Sequence, residues 1–211
     1  MTIDNIRRAI RFAGLVLPLS SWPGSLAAQG AAASAFGVAV RTATINQTTP
    51  SAFLPTDGTV AQNQTSDFTV GTLVSAQDAF ATATGAADGT LSDAVSSATL
   101  GTVSILGGLI TADGVVAIAS STLGNSNAEG SSLANLVVNG LQVDDPAPNM
   151  RLALPGVGYV VLNEQMPTSG GITVNMIHVV LQQPVLGVLG GVIGYRTTGN
   201  IIVGSASSGV N

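Results

Sequence analysis

The chain has 211 residues, of which 8% are charged and 26 are glycine. Against roughly 25% charged and 7% glycine in ordinary soluble domains, this excludes a charged disordered tail and a coiled coil. Lysine and cysteine are both missing. Disulfides, thiolate metal sites, thiol catalysis and lysine-based isopeptide cross-links are therefore excluded.

The first segment has the order of a signal peptide: Arg7, Arg8 and Arg11, the apolar run Phe12 to Leu19, then Trp22-Pro23-Gly24 and the small residues Ser25, Ala27 and Ala28. The apolar run is too short for a bilayer-spanning helix, and Pro18 and Pro23 interrupt it. Cleavage after Ala28 leaves Arg41, Arg151 and Arg196 against ten acidic residues, a formal charge of −7. Nucleic acid and anionic membranes are poor partners for such a chain, because both are bound through clustered Lys and Arg.

Beyond residue 28, β-branched Val, Ile and Thr dominate, which predicts an all-β domain of β-sandwich or jelly-roll type over residues 29–211. Phe36, Val38 and Val40 fall on one face at period two and predict a first strand. Residues 46–66 are polar and hold Pro50, Pro55 and Asp57-Gly58, so they read as a loop. Strands are expected at Phe68 to Val74 and Ala79 to Thr84, with a turn at Asp88-Gly89.

Residues Ser97 to Thr122 carry two apolar stretches around Asp113-Gly114, as two strands or one long bulged strand, with Gly107-Gly108 marking a bulge or bend. After a loop at Asn125 to Gly130, Leu133 to Val138 predicts a strand. Asn139-Gly140 then predicts a tight hairpin into Leu141-Gln142-Val143. Asp144 to Pro148 and Pro155-Gly156 read as turns. Arg151 to Leu154, Tyr159 to Gln165, Ile172 to Gln182 and Gly199 to Gly204 read as strands. Val185 to Ile193 is apolar but broken by three glycines, so it reads as an apolar loop or strand packed on the domain or on a neighbour.

Few residues carry chemistry. His178, the single histidine, alternates with Val174, Met176 and Val180 on an expected inward face, as a satisfied strand histidine. A catalytic base would need an acid partner and a nucleophile beside it, and no such constellation is visible. Glu164 shares period two with Val160 and Leu162, which predicts a partly buried carboxylate bonded to backbone amides or to Arg151, or one with a raised pKa. Asn163 stands beside it as a binding candidate. Asp144 and Asp145, with Asp57 and Asp88 beside glycines, offer oxygens to calcium but lack a calcium-loop spacing, so turn-setting is the expected role. No catalytic, metal or cofactor-binding residue is assigned.

The segments Ser104 to Ala112, Leu133-Ala134-Asn135-Leu136 with Val138-Asn139-Gly140, Leu154-Pro155-Gly156-Val157-Gly158, Leu162-Asn163-Glu164-Gln165, Val174-Asn175 with Ile177-His178-Val179, and Ile202 to Ala206 occur in an order that resembles the choice-of-anchor P family. The resemblance covers Ser34 to the C-terminus. It implies a secreted bacterial surface domain of uncharacterised molecular activity. The family's C-terminal anchoring signals are not matched in Ser205 to Asn211, so covalent retention is not expected.

Together these features lead to an exported structural or matrix protein, self-associating through sheet edges, with Ser34 to Ile45 as the exchanged strand. The alternative is a monomeric adhesion module using loops 46–66 or 144–149. An enzyme built on Glu164 and His178 is the least expected reading.

Overall fold

The structure is a computed structural model that describes residues 30–55, 58, 60–87 and 92–211. The signal segment, Asp57 and the Asp88-Gly89 turn lie outside the described residues. Among those described, every regular element is a β-strand, and two antiparallel sheets pack as a β-sandwich-like domain.

The first sheet takes its strands from both ends of the sequence. Beside β1 (Ala31–Thr42) lies β2 (Asn46–Phe53) on one side and the long β16 (Val192–Val210) on the other. From β16 the sheet continues through β15 (Gly171–Leu186) and β14 (Gly158–Thr168) to β13 (Met150–Leu154). Gly30 and Asn211 exchange backbone hydrogen bonds at 3.2 and 3.1 Å, closing the β1–β16 ladder.

The second sheet centres on β3 (Ala61–Val70), β4 (Val74–Ala87), β5 (Ser92–Leu100) and β8 (Gly114–Thr122). Short strands extend it: β6 (Val103–Ile105), β7 (Ile110–Ala112), β9 (Asn125–Asn127), β10 (Ser132–Ala134), β11 (Val137–Val138) and β12 (Leu141–Gln142). The sheets stack strand on strand, with β1 over β4 and β5 and β16 over β5 and β8.

The inner layer of β4, β5 and β8 is built of alanines, Ala79, Ala81, Ala83, Ala94, Ala98, Ala117 and Ala119, all buried. Small side chains on one layer let the larger Val38, Val40, Ile201 and Val203 of the other seat closely. Ser96 Oγ donates to the Ser207 carbonyl at 2.9 Å, and the Ser121 and Ser208 hydroxyls meet at 2.7 Å, so polar bonds also tie the sheets. Replacing Ala81 with leucine, in a layer already full, is expected to cost about 1–3 kcal/mol in urea unfolding.

A bend crosses the first sheet along the row Asn163, Met176, Gly204, Gly37 and Pro50, each of which is left out of its ladder while the pairs on both sides keep their register. Asn163 has φ 47 and Gly204 φ 66, left-handed conformations that interrupt the pleat. The inward positions change parity there. On β16 they run Ile201, Val203, then Ala206, Ser208, Val210; on β15 Val174, Met176, then Ile177, Val179. On β1, Ala33 and Ala35 give way to Val38 and Val40, so Phe36 lies on the outer face and not, as expected, with Val38.

Several expectations change for identifiable reasons. The expected loop 46–66 is largely β2 and β3, polar strands tolerated because β2 is a sheet edge and β3 pairs with β4 alone. Phe68 to Val74 is broken at Gly71 by a tight turn between β3 and β4. Ser97 to Thr122 holds four strands: Gly107 and Gly108, at φ 65 and 92, make a turn between β6 and β7 and not a bulge. Ser34 to Ile45, the candidate for a donated or exchanged strand, falls mostly in β1, which pairs with β16 and β2 of the same chain. The Asn139-Gly140 hairpin forms as expected, with φ 51 and 78.

Candidate functional site

The bend decides where the predicted site residues lie. On a regular strand Glu164 would follow Leu162 inward and His178 would follow Met176. Past Asn163 and Met176 both instead emerge on the outer face of the first sheet, half-buried, with side-chain exposures of 15% and 20%. The expectation that His178 shares a face with Val174 and Met176, and Glu164 with Val160 and Leu162, is thus reversed at the bend, where Asn163 on β14 and Gly204 on β16 are left-handed.

Glu164 Oε2 accepts from Asn175 Nδ2 at 2.7 Å and from His178 Nδ1 at 2.9 Å. Asn175 in turn accepts from Ser205 Oγ at 2.7 Å, and His178 Nε2 faces Asn200 Oδ1 at 3.2 Å. With oxygens on both ring nitrogens, the imidazole donates twice only as the imidazolium. The Glu164 hydrogen bond accordingly raises the His178 pKa above its ordinary 6.5, against the opposing effect of burial. The His178 hydrogen bond holds the Glu164 carboxyl below its ordinary 4.5, again against burial.

Arg151, expected with backbone amides as an alternative partner of Glu164, stacks on Tyr159 instead, 3.6 Å from the ring centroid. Asn163 spans the bend: its Nδ2 donates to the Pro146 carbonyl at 3.1 Å and its Oδ1 accepts from Gln165 at 3.0 Å. Asn149 Oδ1 accepts from the Gln165 amide at 2.9 Å, so residues 146–149 are pinned to β14. Asp144 accepts from Gln142 at 2.9 Å and Asp145 holds φ 44 in its turn, as residues that set a loop do.

The network therefore joins Glu164 and His178 with Asn175, Asn200 and Ser205, the last three not foreseen as site residues. Their signal was two amides and a hydroxyl inside apolar strands, visible as partners only once β14, β15 and β16 are paired. Both ring nitrogens of His178, both ends of the Asn175 amide and the Ser205 hydroxyl are bonded to other members. Within this network Ser205 bonds Asn175 and not the imidazole, so its hydroxyl does not face the base. Among the described residues, no group of three His, Cys, Asp or Glu side chains converges as a metal site.

A second feature is an arm. Strand β14 ends alongside Leu181 and β1 ends alongside Gly199, but β15 and β16 run on together from Gln182↔Thr197 to Leu186↔Val192. This ribbon extends roughly 17 Å beyond the sheet. Val185, Leu186, Val192, Ile193 and Tyr195 are exposed on it, and Val188 and Leu189 at its tip are fully exposed. Val185 to Ile193, expected to pack on the domain or a neighbour, is not packed on the domain. No charged residue occurs from Leu181 to Tyr195.

At the base of the arm lies a cleft of about 690 Å³, lined by Arg151, Leu154, Pro155, Tyr159, Pro184 and Tyr195 among others. It holds both tyrosines of the chain. No helix among the described residues is long and apolar enough to cross a membrane. Compared with protein-family models, curated proteins and solved structures, the chain shows no significant match.

Proposed function

We propose that this chain is an exported bacterial surface or extracellular structural protein whose domain associates with copies of itself, rather than an enzyme. The observation that carries this reading is the uncharged apolar arm from Gln182 to Tyr195, which leaves its large side chains in water. Monomeric proteins seldom expose contiguous apolar surface of this kind without a partner for it. The signal-like first segment and the resemblance to the choice-of-anchor P family support export, and the engagement of both His178 ring nitrogens by Glu164 and Asn200 supports a structural use of the only histidine.

Sedimentation velocity and electron microscopy of the exported protein test the proposal. Oligomers or filaments that grow with concentration are expected, and a strictly monomeric species at high concentration would remove the assembly claim. A monomeric binding module is the second reading, favoured by the convergence of Tyr159 and Tyr195 on one cleft. Glycan binding by a monomer, lost in Tyr195→Ala, would favour that reading instead.

A further inference from the structure

We infer that the tip of the arm of one copy, Val188 and Leu189, seats in the cleft at the arm base of a second copy. The inference rests on the self-association reading and deepens it by naming the two surfaces that meet.

The tip calls for an environment that is apolar on all sides. Successive residues of a ribbon point to opposite faces, and here both members of Val185-Leu186 and of Val192-Ile193 are exposed. A docking strip that lies on a flat surface needs one apolar face; a plug needs two. The tip turn satisfies its own backbone in part, with the Gly187 amide donating to the Gly191 carbonyl at 2.8 Å and the Gly190 amide to the Gly187 carbonyl at 2.9 Å. It therefore enters an apolar socket with those amide groups already bonded.

A bilayer is the obvious competing occupant, and two observations disfavour it. The ribbon has only two strands and, beyond Gln182 whose amide donates to the Val157 carbonyl, no third strand flanks it, so immersion in hydrocarbon would leave ladder N–H and C=O groups without partners. Behind the tip stand Arg196 on the ribbon and Arg151 in the cleft wall, the latter spread over Tyr159, in a chain whose residues after 28 carry a formal charge of −7, which gives little attraction to anionic headgroups.

The cleft has the complementary character. Leu154, Pro155, Val157, Pro184 and Val192 line it, its volume of about 690 Å³ admits several aliphatic side chains, and the one charge in its wall, Arg151, is spread over the Tyr159 ring. Tip and cleft belong to the same chain but are different patches, so each copy supplies one plug and one socket. No acidic residue lines the cleft or stands on the arm, so the general repulsion between acidic copies is weakest where these surfaces meet.

Two substitutions at exposed positions separate the halves of the contact: Leu189→Asp spoils the plug, and Ala153→Arg, in the cleft wall, blocks the socket. In sedimentation velocity, with unfolding midpoints checked in parallel, each is expected to weaken self-association roughly tenfold or more. Mixing the two variants leaves one intact plug and one intact socket, and is expected to restore a two-molecule complex. Association of the wild type that neither substitution weakens would overturn the plug-and-socket contact and leave the self-association reading standing. A wild type that is monomeric throughout would overturn both. Flotation of a monomeric wild type with phosphatidylcholine vesicles, lost in Leu189→Asp, would overturn the inference in favour of a lipid surface.

Discussion

Replacing Gly204 with valine is expected to lower the unfolding free energy by about 2–5 kcal/mol, a large part of the roughly 5–15 kcal/mol that holds a typical domain together. Two costs combine. Gly204 sits at φ 66, where a β-branched residue is strained by about 1–2 kcal/mol. A Cβ there would also lie 2.6 Å from Val115 Cγ1 on β8, in the opposite sheet, and 3.4 Å from Met176 Cβ, which adds an overpacking cost of about 1–3 kcal/mol. Gly107 supplies the control, because its φ of 65 is nearly the same while nothing lies within 4 Å of its would-be Cβ. Urea unfolding of Gly204→Val and Gly107→Val therefore separates conformational strain from packing. Equal losses in the two variants would mean that the sheets do not approach closely at the bend.

The same bend explains how far the sequence could be read. Most of the strands after Asn139 were legible, because Asn139-Gly140 and Pro155-Gly156 are strong turn signals between β-branched runs. Polar strands were not: Asn46 to Phe53 and Ala61 to Val70 carry few apolar residues because one lies at a sheet edge and the other has a single neighbour. Face assignment failed at Phe36, Glu164 and His178 for one cause. Period-two reading assumes an unbroken pleat, and the bend changes parity without any insertion: β14 and β16 do so at left-handed Asn163 and Gly204, and β15 and β1 at the positions facing them, Met176 and Gly37. Asn163 and Gly204 are residue types that adopt that conformation readily, but both also occur in ordinary turns, so neither announces a bend within a strand. The network partners Asn175, Asn200 and Ser205 were hidden differently. Glu164 and Asn175 are cross-strand neighbours, as are Asn175 and Ser205, and pairing of that kind is a property of topology. The arm was visible as an apolar glycine-broken segment, but its exposure follows from where β14 and β1 stop.

Because Asn175 bonds a member of that network at each end of its amide, removing it should be costly. Asn175 is buried, donates to an ionised carboxylate and accepts from Ser205, so Asn175→Ala is expected to cost about 2–4 kcal/mol near pH 6. The ion pair also gives stability a pH signature. His178 has a raised folded pKa, so its contribution is complete below its ordinary 6.5 and is lost as pH rises through the folded value. Glu164 has a lowered folded pKa, so its contribution is complete above its ordinary 4.5 and is lost as pH falls through the folded value. The stabilisation due to the pair is thus greatest between about pH 4.5 and 6.5 and declines on both sides. The difference in urea midpoint between wild type and Glu164→Gln isolates this contribution from the other carboxylates. It should peak in that window and shrink toward alkaline pH as the imidazolium loses its proton. A difference that stays flat from pH 4 to 9 would mean that Glu164 and His178 do not form an ion pair in the folded chain, and that Asn175 alone holds the carboxylate on the outer face of the sheet.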